Sequence, residues 1–97
     1  VDSFVASVLD KFGRLDYCVN NAGIIGSSVD TVNTSLAEFD AVNDVNYRGC
    51  FLCCRAELKA MVQQDPLPSH DPDRTPQRGS IVNTASQLGM VGRKHCR

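Results

Sequence analysis

Apolar positions in residues 1–12 fall on one helical face: Val5, Val8, Leu9 and Phe12 keep the i, i+3, i+4, i+7 spacing. The pattern predicts an amphipathic helix with that face buried. Gly13 supplies the stop, because glycine enters the left-handed conformation without a side-chain clash. Residues 15–19, Leu-Asp-Tyr-Cys-Val, are short, mostly apolar and bounded by Gly13 and by Asn20-Asn21, a pattern that predicts a strand buried on both faces. Residues 26–34 are small and polar and read as a loop.

A long helix is expected over residues 36–63. Ser35 and Glu38 form a capping-box pair, in which the serine oxygen takes a free N–H and the glutamate reaches back. Leu36, Phe39, Val42 (or Asn43), Tyr47, Cys50, Cys54, Leu58 and Met61 return to one side. Asn46 and Gly49 are poor helix formers in its middle, costing up to about 1 kcal/mol each against alanine, so close packing at Gly49 and a polar role for Asn46 are the expected reasons. Residues 64–78 hold all four prolines and predict a long exposed loop. After Gly79, residues 80–84 read as a second strand, and residues 85–97 show no clear period. A strand–helix–strand order with a crossover helix implies a parallel pair. Parallel strands need both faces covered, and one long and one short helix cannot do this. The expected fold class is therefore α/β, the central part of a doubly wound parallel sheet, and the chain reads as an internal piece of a larger domain.

Composition narrows the picture. The chain has 97 residues, 42% apolar and 22% charged, as in ordinary soluble globular proteins. No apolar run approaches the roughly 20 residues of a membrane span, and no basic-then-apolar leader opens the sequence. Net charge is −1, so no global field draws the chain to nucleic acid or to a membrane. Residues 1–70 hold nine acids and five bases, and residues 71–97 two and five. The basic end (Arg93, Lys94, Arg97) has no interleaved aromatics and reads as a solvated tail. Five cysteines at irregular spacing suit a reducing, cytoplasmic setting better than a disulfide framework. Cys50-x-x-Cys53 falls within the helical pattern with no second ligand pair nearby, so buried thiols acting as small apolar groups are expected, and no metal site. His70 and His95 lack companions at ligand spacing and are expected in solvent.

Three stretches, in this order and at these separations, carry a resemblance. They are Asn20-Asn21-Ala22-Gly23 after the first strand, Val45-Asn46-Tyr47-Arg48-Gly49 in the long helix, and Gly79-Ser80-Ile81-Val82-Asn83-Thr84-Ala85-Ser86 with Gly89 beyond. Together they resemble the classical short-chain dehydrogenase/reductase family over nearly the whole chain. Open parallel sheets bind ligands beyond the carboxyl ends of their strands. Ala22 and Gly23 lie at such an end and would let a ribose approach the backbone, while Asn20 and Asn21 offer amide donors and acceptors. The resemblance implies a partial Rossmann-like fold, NAD or NADP as cofactor, and a small-molecule carbonyl or alcohol as substrate. It implies cofactor contacts from Asn20, Asn21, Ala22, Gly23, Thr84 and Ala85, a substrate hydrogen bond from Ser86, and a proton-relay water held by Asn46. It also implies a possible homo-oligomer through the helix at residues 36–63.

The chain departs from the family pattern in two places. No Tyr-x-x-x-Lys follows Ser86, and no Gly-x-x-x-Gly-x-Gly turn occurs to cradle a pyrophosphate. A tyrosine needs a nearby cation to act as a base at neutral pH. These 97 residues are therefore expected to be inactive alone, while the intact parent transfers hydride. The competing reading is a non-catalytic piece that keeps only a long-helix dimerisation surface. A poorly folded truncation is a third.

Overall fold

A computed structural model describes residues 1–91 of the chain. The expectations for the basic tail and for His95 and Cys96 lie outside the described residues. The element order is helix α1 (Asp2–Phe12), strand β1 (Tyr17–Asn20), a 3-10 turn (Thr31–Asn33), helix α2 (Leu36–Asn43), a π-helical turn (Asp44–Gly49), helix α3 (Cys50–Met61), strand β2 (Ser80–Asn83) and a 3-10 turn (Gln87–Gly89).

Local chemistry sets the boundaries. Gly13 ends α1 in the left-handed conformation, at φ 78°, and its N–H reaches the carbonyl of Leu9. Ser35 caps α2, its hydroxyl accepting from the N–H of Glu38 at 3.2 Å. The Glu38 carboxylate accepts from the Ser27 N–H, which ties the polar loop to the first turn of α2. The region expected as one α-helix is interrupted by the π turn, which takes in both Asn46 and Gly49. A β-carbon at Gly49 would meet nothing closer than the Asp44 carbonyl of the same turn, at 3.4 Å. The close packing expected of Gly49 is not seen among the described residues, and its backbone is ordinary right-handed helix at φ −58° and ψ −50°.

The sheet has two strands, paired in parallel from Tyr17↔Ser80 to Asn20↔Asn83. Helix α3 packs against β1 and against α1. Cys18 and Asn20 turn toward α3 and are half-buried, while Tyr17 and Val19 point the other way and are exposed. The expected burial on both faces is thus corrected: one face is covered and the other is open. Phe12 is exposed as well, leaving Val5 as the buried residue of the α1 face.

On α3 the inward stripe runs Cys50, Cys53, Cys54, Glu57, Met61, and the thiols are half-buried rather than buried. Of the residues that the spacing returned to one side, Leu36, Phe39, Tyr47 and Leu58 are exposed and Met61 is buried. The apolar core among the described residues is Val5, Ala56 and Met61. Gly79 belongs to this packing, because a β-carbon there would lie 2.5 Å from the Met61 sulfur.

Residues 64–78 form the exposed excursion that their prolines predict, with both ends tied down. Leu67 pairs with Gln77 in an isolated antiparallel bridge, and the Gln64 side chain bonds the N–H and carbonyl of Leu15 at 3.1 and 2.8 Å.

Candidate cofactor and substrate edge

Parallel pairing sends the two strand tips out side by side. The ladder ends with the Thr84 N–H donating to the Asn20 carbonyl at 2.9 Å. Residues 21–23 and 84–86 therefore leave the sheet at the same edge, the carboxyl edge where open parallel sheets place ligands. Asn21, Ala22, Gly23, Thr84, Ala85 and Ser86 are all exposed there.

Gly23 meets little from its own chain. A β-carbon would sit 3.5 Å from the Asn46 Oδ1, an ordinary contact, and the only positive-φ glycine among the described residues is Gly13. Nothing internal requires glycine at position 23, so the bare backbone faces outward, where a bound group can approach it. The sequence contains no glycine-rich turn to fit a pyrophosphate.

Asn46 is the residue that joins helix to tip. Its Oδ1 accepts from the Ile24 N–H at 2.8 Å, and its Nδ2 donates to the Ile24 carbonyl at 2.9 Å. Both ends of the amide thus grip one residue, and the segment after Gly23 is held against the π turn. Such turns recur at functional sites because the wider ring redirects a side chain or frees a carbonyl. The amide lies at the surface and grips a loop backbone, a use that sequence reasoning did not foresee.

Ser86 caps the turn at Gln87–Gly89, its oxygen accepting from the Leu88 N–H at 3.2 Å. A hydroxyl that accepts in this way keeps its own proton to donate. Ser86 can therefore offer O–H to a carbonyl oxygen beyond the tip.

Asn20 turns inward. Its Nδ2 donates to Glu57 Oε2 at 3.0 Å and to Asn83 Oδ1 at 2.9 Å, and lies 3.6 Å from Cys54 Sγ. The Cys54 thiol donates to Asn83 Oδ1 at 3.4 Å. Glu57, with 7% of its surface exposed, is the buried charged residue of the described chain. A buried carboxylate needs hydrogen-bond donors, and Asn20 supplies one. This cross-brace lies under both strand tips and holds them in register. Sequence reasoning missed Glu57. The available signal was an acid on the stripe set by Cys50, Cys53, Cys54 and Met61.

The Cys18 thiol is pushed up to about 11, first by burial and then by the negative charge and hydrogen bond of Glu57 and by the thiols of Cys53 and Cys54. Cys50 is raised too, by burial and then by Cys54. Thiols held protonated are poor nucleophiles and poor metal ligands. Of the two tyrosines, Tyr17 opens β1 at the end away from the tip, and Tyr47 lies in the π turn with 78% of its surface exposed.

The chain as a whole is similar to known proteins. A short-chain dehydrogenase of Aspergillus ruber is 44% identical over 94 residues, covering 94% of this chain and 34% of that protein. The crystal structure of levodione reductase superposes with a TM-score of 0.81 at 36% identity, over 98% of this chain and 32% of that one. A 3-oxoacyl-[acyl-carrier protein] reductase from Brucella melitensis, solved in complex with NAD, superposes with a TM-score of 0.79 at 32% identity, over 98% of this chain and 35% of that one. The chain spans about a third of the length of these relatives. The family model described as short chain dehydrogenase matches residues 1–97, and the chain belongs to that family, with the α/β sheet of a partial Rossmann fold.

Proposed function

We propose that this chain supplies the central section of an oxidoreductase that transfers hydride between NAD or NADP and a carbonyl or secondary alcohol. The observation that carries the reading is the shared edge: a bare-backboned tip at Ala22-Gly23 beside a hydroxyl-bearing tip at Ser86, with Asn46 locking the first of them. In this reading Ala22, Gly23, Thr84 and Ala85 line the cofactor, and Asn21 stands at its rim. Asn20 contributes by holding the ledge, since its amide bonds Glu57 and Asn83. Ser86 donates its proton to the substrate oxygen. Asn46 keeps the ledge in place, and a relay water would be left to its main-chain carbonyl. When bound, the nicotinamide supplies the hydride.

The family's tyrosine and lysine do not occur after Ser86 in these 97 residues, nor does a glycine-rich turn. The chain by itself therefore has no proton relay and little hold on the phosphates. Two measurements test the reading. The purified 97-residue chain should give no carbonyl-dependent NAD(P)H oxidation above background, and activity there would overturn the inactive-alone part. The gene should carry a glycine-rich turn upstream and Tyr-x-x-x-Lys downstream, and the protein so extended should reduce a carbonyl and lose that activity as Ser86→Ala. Genuine gene ends at Val1 and Arg97 would count against the enzyme.

A second reading rests on exposed apolar side chains along α2 and α3. Leu36, Phe39, Phe51, Leu58 and Val62 face solvent, which suits an association surface between two copies over residues 36–63. No helix among the described residues is long and apolar enough to cross a membrane. The free thiols Cys18, Cys50, Cys53 and Cys54 suit a reducing cytoplasm.

A further inference from the structure

At the amino ends of the strands, away from the tips, residues 64–79 make a pinned excursion. Its feet are tied by Arg78 Nε to the Gln64 carbonyl at 3.0 Å and by Arg14 Nη2 to the Asp65 carbonyl at 3.2 Å. The Leu67 N–H donates to the Gln77 carbonyl at 3.0 Å. Near the apex Asp71 organises a turn, accepting from the Asp73 N–H on its side chain at 3.0 Å and from the Arg74 N–H on its carbonyl at 3.1 Å. Thr75 and Pro76 follow that turn. Both are exposed, and among the described residues Thr75 makes no hydrogen bond through backbone or side chain.

Thr75 is the only serine or threonine in the chain that is followed by proline. Pro76 has no N–H and disfavours the helical conformation at the residue before it. The hydroxyl is thus displayed at a position that makes no ladder bond itself, two residues before the Gln77 bridge, and a kinase that reads Arg78 must draw its guanidinium off the Gln64 carbonyl. Arg78 stands three positions beyond it. A cleft of about 380 Å³ opens beside Thr75, lined in part by Tyr17, His70, Arg74 and Ser80, and it has room for an added group.

We propose that Thr75 is a phosphorylation site for a proline-directed serine/threonine protein kinase that also reads a basic residue three positions on. In the transfer, Thr75 Oγ1 bonds to the γ-phosphorus of ATP, the bond from that phosphorus to the bridging oxygen breaks, and ADP leaves. The hydroxyl proton passes to the kinase's catalytic carboxylate. The product carries about −1.5 to −2 charge next to Arg74 and beside the cleft that His70 lines. Tyr17 and Ser80, which line this cleft, are the first residues of the strands, so the length of a strand, about 13 Å, lies between them and the tips. The mark therefore alters the lower face rather than the cofactor edge. The proposal does not rest on the dehydrogenase reading, and neither fails with the other.

The test uses the purified 97-residue chain, magnesium-ATP and a cyclin-dependent kinase, with a standard peptide substrate in parallel to show that the kinase is active. The expected result is a mass gain of one phosphoryl group, located at Thr75 by fragmentation and lost in Thr75→Ala. Pro76→Ala should reduce incorporation to the Thr75→Ala background. Arg78→Ala should slow this kinase but not a mitogen-activated kinase that reads proline alone. No incorporation while the control peptide is phosphorylated overturns the proposal, as does a phosphate that persists in Thr75→Ala. An Arg78→Ala rate equal to that of the parent chain overturns the basic-residue requirement.

Discussion

At the scale of single residues, the work at the edge is divided between gripping and displaying. Asn46 spends both ends of its amide on Ile24. Asn46→Ala removes two hydrogen bonds at an exposed position and should cost about 1 kcal/mol of local stability. Hydrogen exchange at the Ile24 amide checks this directly: protection should fall there while α1 amides keep theirs. The Cys18 thiol offers a second check. Its pKa is about 11 in the fold, against 9.0 for an unperturbed thiol. As pH rises, the unfolded chain loses this proton first, so the stability contribution is complete below pH 9 and is lost as pH climbs through about 11. In the protein extended at both ends, denaturant midpoints should therefore fall across that window, and Cys18→Ala should flatten the fall. Alkylation of Cys18 should also be slower in the folded chain than in the chain unfolded by denaturant at the same pH of 8. The positions of residues 20–23 and 84–86 at strand ends could be read from the apolar runs before them, whereas the roles expected of them, and of Asn46 inside the long helical stretch, came from the family resemblance. Glu57 carried only its place on the cysteine stripe as a signal, and an acid in a helix is ordinarily a solvated one, so it is the partner strand that makes it a brace.

Elements follow the same division. The α1 stop at Gly13, the cap at Ser35 and both strands arise from short-range chemistry, and short-range chemistry is what a sequence displays. Gly13→Ala forces a β-carbon into the left-handed region at φ 78° and should cost about 1 kcal/mol. Loss of α1 helicity by circular dichroism, with α3 amides still protected, is the expected signature. The π turn was not legible. It coincides with the reach from Asn46 to Ile24, a contact between residues far apart in sequence. A wider turn changes the angle between successive side chains, so the spacing of one helical face does not carry from Leu36, Phe39 and Tyr47 across to Met61.

For the whole molecule, size and burial disagree with independence. The radius of gyration is 17.7 Å, where a compact chain of this length has about 13 Å. The largest extent is 53 Å and the smallest 15 Å. Among the described residues three apolar ones are buried, and no side chain is fully so. With so little apolar surface removed from water, folding cannot readily offset chain entropy. The purified chain should melt broadly, without a cooperative transition, and should bind a dye that reports exposed apolar surface. A sharp transition with a dimeric mass would instead establish residues 36–63 as an association surface.

The sheet itself adds a consequence. With only two strands, each has a lateral margin where amide and carbonyl groups await a neighbour, and the open side carries Tyr17, Val19 and Val82. Such margins are templates. Inside a larger domain they direct where flanking strands zip on, one to the left of β1 and one to the right of β2. In concentrated solution the same margins recruit other copies, so the chain's solubility ceiling is set by its backbone rather than by its net charge.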